Sequence, residues 1–195
     1  MSKGLIGGAV ILVVALVLLG TGVGTYNRLV ELDEGVGNAW SQVENVYQRR
    51  ADLIPNLVAT VKGAKDFEQE TLTQVVEARA KVGQINLKSA PDAEQLAQFE
   101  AAQSQLSSAL SRLLVVVERY PELKATEAFR DLQAQIEGTE NRITVERKRF
   151  NDATLTYNKT RRRFPTILVA GIMGFSDKPY FVATPGSDVP PKVDF

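Results

Sequence analysis

Cysteine and histidine are both absent from this 195-residue chain. Without cysteine there is no disulfide, no thiolate nucleophile and no iron–sulfur cluster, and the redox compartment stays open. Without histidine the commonest transition-metal ligand and the commonest neutral-pH general base are gone. An excess of one charge is missing too: 23 Lys and Arg stand against 23 Asp and Glu. No global field therefore draws the chain to nucleic acid. The Glu-x-x-His pairs of di-metal helical proteins cannot be built. Glu68 and Glu70, or Glu118 and Glu122, have ordinary surface spacing, whereas a calcium or magnesium site needs clustered oxygens. No paired acid and base stands out. The expectation is a non-enzymatic protein with no cofactor, no metal and no nucleic-acid partner.

What the chain does have is one long apolar run. LIGGAVILVVALVLLGTGVG occupies residues 5–24, and no charge falls between Lys3 and Arg28. About 20 apolar residues in a helix cross a hydrocarbon core about 30 Å thick. Leu5, Ile6, Val10, Ile11, Leu12, Val13, Val14, Leu16, Val17, Leu18 and Leu19 are the expected membrane-spanning side chains. The alternative is a cleaved signal peptide. The run exceeds the usual h-region of about 7–15 residues, and no A-x-A site comes after it, so residues 1–25 are read as a single-pass anchor. Gly4 and Gly8 make a small-xxx-small pair, but it lies too near the helix end to argue for dimerisation.

Past Gly24 the apolar residues keep a heptad, the pattern of helices packed through a narrow stripe. The first stripe is Leu29, Leu32, Val36, Ala39, Val43 and Val46. The second, less regular, is Ile54, Val61, Val75 and Val82, with Glu68 at a stripe position. The third is Leu96, Phe99, Leu106, Leu110, Leu113, Val117 and Tyr120, with Gln103 as its polar insertion. The fourth recurs every seven residues at Phe129, Ile136, Ile143, Phe150, Tyr157 and Phe164. Asp52 can cap a helix with Pro55 in its first turn. Residues 83–91 read as a turn, with Asp92 capping the third helix. Tyr120-Pro121 ends that helix. Helices are thus expected near 5–50, 52–83, 92–120 and 125–163. A rival is one helix running through Pro55. The turn is preferred because four segments of similar length close a bundle. The fold class is all-α: an N-terminal transmembrane helix continuing into an up-and-down antiparallel four-helix bundle over residues 26–164. Residues 165–195 are an apolar segment, too short to span, and then a proline-rich flexible tail.

Several stretches resemble the LemA family. They are Tyr26-Asn-Arg-Leu-Val30, Ala39-Trp-Ser-Gln-Val-Glu44, Gln48-Arg-Arg-Ala-Asp-Leu-Ile-Pro-Asn-Leu-Val58 and Thr60-Val-Lys-Gly63. Leu72, Ala78-Arg79, Tyr120-Pro-Glu-Leu-Lys124 and Thr139-Glu-Asn-Arg-Ile143 come next. Phe150-Asn151, Tyr157-Asn158, Phe164-Pro165 and Gly174-Phe175 complete the set. The family commonly has His-Glu where this chain has Phe67-Glu68, so any role needing that imidazole is absent. The resemblance implies an N-terminal anchor, an up-and-down four-helix bundle and no established enzymatic activity.

Four buried polar candidates emerge: Arg49, Arg50, Asp52 and Glu68. Arginine forks near the first turn could tie helix ends together through carbonyls and Asp52. Glu68 on a stripe must pair, titrate or reach solvent, with Arg79, Arg147 or Lys65 as its natural partners. Trp40 and Tyr47 are core aromatics by spacing. Lys159, Arg161, Arg162 and Arg163 directly precede Phe164-Pro165-Thr-Ile-Leu-Val. The fourth helix returns toward the membrane, so these cations could meet anionic headgroups at about 1 kcal/mol each. The apolar stretch would then lie in the interface. Alternatively it folds back onto the bundle and the cations complement the helix dipole. The expected roles are a scaffold for a protein partner of unknown identity, or a lipid-contacting module that self-associates. Few positive charges come after the anchor, which leans toward the bundle outside the cell. The basic end of the fourth helix leans the other way.

Overall fold

The computed structural model describes residues 3–182, apart from 66, 86 and 88. The chain forms α1 (Lys3–Lys62), α2 (Gln69–Gln84), α3 (Ala93–Val117), the single turn α4 (Pro121–Lys124), α5 (Glu127–Arg161) and α6 (Thr166–Met173), with no strand among the described residues. α1 packs chiefly against α5, and α2 chiefly against α3. Contacts between them run in opposite chain order: Gln74 and Lys81 of α2 meet Arg112 and Gln105 of α3, and Trp40 and Arg50 of α1 meet Phe150 and Glu140 of α5; proximal and distal are measured from the apolar N-terminal stretch.

The expected turn before Asp52 does not exist. α1 passes through it and through Pro55, and ends at Lys62. The reason is tertiary. Proline has no N–H, so the carbonyl four residues earlier, that of Ala51, loses its helical donor. The Arg79 side chain of α2 takes the place, its Nε donating to the Ala51 carbonyl at 3.0 Å. The stripe also runs on across the site, since Tyr47, Ile54, Leu57 and Val61 are all buried. The break comes instead over residues 63–68, with Gly63 in the turn and Glu68 as the N-cap of α2.

Other boundaries obey their local signals. Asp92 closes a capping box, accepting from the Gln95 N–H at 2.8 Å while the Gln95 side chain accepts from the Asp92 N–H at 3.1 Å. Pro121 opens α4, where a missing N–H costs nothing. Thr126 caps α5. The fourth stripe is buried from Phe129 to Tyr157, but Phe164 is 80% exposed, because α5 stops at Arg161 and the heptad with it.

Two apolar cores result. The distal one joins Ile54, Leu57, Val75, Leu106, Leu113 and Phe129. The proximal one joins Leu29, Val43, Leu96, Phe150 and Ala170 around Trp40. The Trp40 ring meets Phe99 at 5.3 Å and Phe150 at 5.6 Å, both edge to face. Nearer the N-terminal end of α1, Ile11, Leu12, Val13, Val14, Leu16, Val17 and Leu19 are exposed. The side chains of Leu5, Ile6, Val10 and Leu18 lie outside those described. α1 is the one helix among the described residues long and apolar enough to cross a membrane, and its apolar window is wholly unburied. A core helix of a soluble protein would bury that surface.

Candidate functional site

Three polar constructions interrupt the apolar packing. The first separates the two cores. Arg50 comes after Tyr47 on the α1 stripe and is only 1% exposed. Its guanidinium donates to the Gln103 side chain, to the Glu140 carboxylate and, at 2.9 Å, to the Ser107 hydroxyl. It also lies 5.1 Å from the centre of the Tyr47 ring. Gln103 is the polar residue in the α3 stripe, so the two anomalies of the sequence answer each other. The expected partner of Arg50, Asp52, is on the surface and accepts from Gln48 at 2.8 Å. Arg49 is exposed. Beside Arg50 opens a cavity of about 500 Å³ whose lining includes Tyr47, Glu100, Ser104, Glu140 and Arg147. Arg147 pairs with Glu100 at 2.6 Å and Arg50 with Glu140, so the cavity has no net charge with which to hold an anion. Burial raises the Glu100 pKa against the pull of Arg147, and burial likewise raises that of Tyr47.

Glu68 is neither buried nor on the stripe. It caps no N–H of α2 with its side chain, and pairs with Arg119 at 2.6 Å across the distal turn. Arg79, one of the expected partners, serves the Ala51 carbonyl instead. An exposed pair of this kind contributes little stability.

The second construction was not foreseen. Gly174, at φ 78°, ends α6 in the left-handed conformation that glycine adopts without strain. From there residues 175–182, outside any helix, run back along α5. Asn158 donates to the Lys178 carbonyl at 2.8 Å and accepts from the Lys178 N–H at 3.0 Å. Asn151 does the same to Phe181, at 3.0 and 2.9 Å. The Tyr157 hydroxyl donates to the Ser176 carbonyl at 2.9 Å. Phe181 is buried, 5.4 Å from Phe150, with the Arg147 guanidinium 4.4 Å from its ring centre. Lys178 reaches across to Asp33 of α1 at 2.7 Å. The part of the tail up to Val182 is therefore a strap, not a free arm. Residues 183–195 of the expected flexible tail lie outside the described residues. The signal for the strap was present in Asn151 and Asn158, each directly after a stripe aromatic.

The third construction lies where α5 ends. Of the four expected headgroup cations, Arg161 and Arg162 are engaged by Asp177, at 2.8 and 2.9 Å, and Arg161 also donates to the Phe175 carbonyl at 2.8 Å. Arg162 holds the Asp177 carboxyl below its usual range. Lys159 and Arg163 are exposed. α6 comes next, set against both α1 and α5. Ala170 is buried in the proximal core and Tyr26 meets Phe175 edge on at 5.8 Å. Among the described residues no three carboxylates gather as metal ligands would.

Comparison with known proteins places this arrangement. The chain is 26% identical to magnetosome protein MamQ 2 of Paramagnetospirillum magneticum, over 85% of this chain and 67% of that protein. It is 27% identical to magnetosome protein MamQ of Magnetospirillum gryphiswaldense, over the same shares. It is 26% identical to protein LemA of Metamycoplasma hominis, over 76% of this chain and 64% of that protein. The LemA family model matches residues 39–195, which takes in the α1 segment around Pro55, the polar layer, the paired asparagines and the strap; the chain is a member of the LemA family.

Proposed function

We propose that this is a membrane-anchored, non-enzymatic interaction module. The apolar start of α1 crosses the bilayer once. α1, α2, α3 and α5 act as an up-and-down antiparallel four-helix bundle that holds a docking face for a protein partner at fixed height. The observation that carries this reading is the continuity of α1, one helix from its exposed apolar stretch to Lys62. Residues 26–62 of that helix extend about 55 Å at 1.5 Å per residue. The gap that Pro55 leaves in its hydrogen-bond ladder is closed by Arg79. A stalk without a joint transmits position, which suits a scaffold.

Photo-reactive residues placed singly at Val76 on α2, Val115 on α3 and Val145 on α5, all exposed, test the reading in native membranes. Discrete adducts to one protein, confined to α2 or α3, support it. Absence of adducts at every position, or equal labelling at all three, counts against it. The exposed apolar face of α6 favours the second role, contact with lipid.

A further inference from the structure

α6 is apolar on nearly every side, yet only one side is covered. Ala170 is buried and Val169 packs against the proximal core. Outward, Ile172 is 81% exposed, and Phe164, Leu168 and Met173 are exposed beside it. Such a cluster on a soluble surface marks a binding face. Its position in the fold says what covers it. Ala170 shares a core with Leu29, and Phe175, just past the helix, touches Tyr26. Those α1 residues come directly after the candidate span, whose Leu19 and Val23 are themselves exposed. Val23 precedes Tyr26 by about 4.5 Å along the helix axis, and Leu19 by about 10 Å. The apolar surface of α6 thus adjoins that of the span. Lys159 and Arg163, just before α6, have no ion-pair partner among the described residues and stand where phosphate headgroups would lie.

We propose that α6 is an interfacial helix that lies in the headgroup–acyl boundary beside the point where α1 leaves the bilayer. The protein then meets the membrane twice, through a span and through a surface helix. Because α6 is fixed to both α1 and α5, the second contact sets the tilt of the stalk. This rests on the membrane reading of α1. The bound surface is lipid rather than a second copy of the chain, because the apolar face is continuous with the span.

The cysteine-free sequence makes the test direct. Ile172→Cys, Val115→Cys and Val13→Cys are made singly in the full chain, labelled with an environment-sensitive fluorophore and reconstituted in phosphatidylcholine–phosphatidylglycerol vesicles. Quenching by lipids brominated high on the acyl chain should be at least about threefold stronger at Ile172 than at Val115, as for a face sunk about 5–10 Å into the interface. Emission at Ile172 should be blue-shifted relative to Val115. Strong lipid quenching at Val13 with none at Ile172 overturns the proposal and leaves the anchor standing. No lipid quenching at Val13 overturns the anchor itself. A blue shift at Ile172 that grows with protein-to-lipid ratio, without lipid quenching, assigns the face to a second copy and overturns the proposal as well.

Discussion

Replacing Arg50 by methionine should lower the thermal midpoint of the full chain in lipid nanodiscs by about 4–8 °C, and adding Gln103→Leu should recover most of that loss. The magnitude comes from which partners can reach water. Methionine fills much of the space of the arginine stem, so no large cavity opens. The Glu140 side chain is 44% exposed and rehydrates when its partner goes. The full loss of about 3–5 kcal/mol for breaking a buried pair therefore does not apply. Gln103 is buried and cannot rehydrate, and its stranded oxygen costs about 1–3 kcal/mol. Losing the cation beside the Tyr47 ring adds about 0.5–1 kcal/mol. Against this, Arg50 Nε is itself buried without an acceptor, and removing it returns part of the difference. The net is about 2 kcal/mol, at about 2–4 °C each for a chain this size. In the double variant neither polar group remains, so stability returns to within about 1 kcal/mol of the parent. Melting followed by far-ultraviolet circular dichroism measures the cycle, with an expected coupling of about 2 kcal/mol. A double variant no more stable than Arg50→Met alone would refute the coupling of Arg50 to Gln103.

Arg79→Ala should destabilise the native chain by about 1–2 kcal/mol but cost much less in a Pro55→Ala background, where the restored N–H takes the Ala51 carbonyl; equal losses in the two backgrounds, by the same melts, would break the link between Pro55 and Arg79. Asn158→Ala removes both hydrogen bonds to Lys178 and should speed chymotryptic cleavage at Tyr180 and Phe181 by roughly tenfold, given about 1.4 kcal/mol per decade. Unchanged cleavage would mean that the aromatic contacts alone hold the strap. Tyr157, buried, has its pKa pushed up to about 12 by burial first and by Asp33 second. The fold thus prefers the neutral phenol. Its contribution is complete below the unfolded pKa near 10 and is lost as pH climbs toward 12. Tyr157→Phe should flatten the alkaline limb of the stability profile, and an unchanged limb would exclude Tyr157 as its cause.

The long helices were legible because burial repeats. Every aromatic and isoleucine of the fourth stripe from Phe129 to Tyr157 is buried, as are Leu96, Phe99, Leu106 and Leu113 of the third. Asp92 and Pro121 were legible because caps and proline restrictions are local, although α3 already ends at Val117, short of the expected Tyr120. The break before Asp52 was misplaced for the opposite reason. Pro55 carries a local penalty, and nothing in its neighbourhood reveals that Arg79, 24 residues on, supplies the missing donor. The stripe itself was the better guide, since Ile54, Leu57 and Val61 stay in phase with Val43 and Tyr47. Glu68 shows the converse. A heptad extended across a turn counts a residue as buried when its helix has not yet begun. Phe164 fails in the same way at the other end.

The strap shows how a helix can read an extended chain. Asn151 and Asn158 stand seven residues apart on α5, a rise of about 10.5 Å. The residues they hold, Phe181 and Lys178, are three apart, and three residues of extended chain cover about 10 Å. Two helical turns therefore match three residues of the strap, and the order is antiparallel, with the later asparagine holding the earlier residue. Each amide presents a donor and an acceptor to one backbone N–H and C=O pair, as a neighbouring strand would. Neither bond consults the side chain of the residue held, so the asparagines fix register and direction. Specificity is left to the Phe181 ring beside Trp40 and Phe150, and to Lys178 against Asp33. A stripe of aromatics spaced by seven reads first as a helix–helix seam. The asparagine directly after Phe150 and Tyr157, at the same interval, is what distinguishes a helix that also carries a strap. The sequence carries that pattern in the seven-residue period of its asparagines, beside the same period of its aromatics.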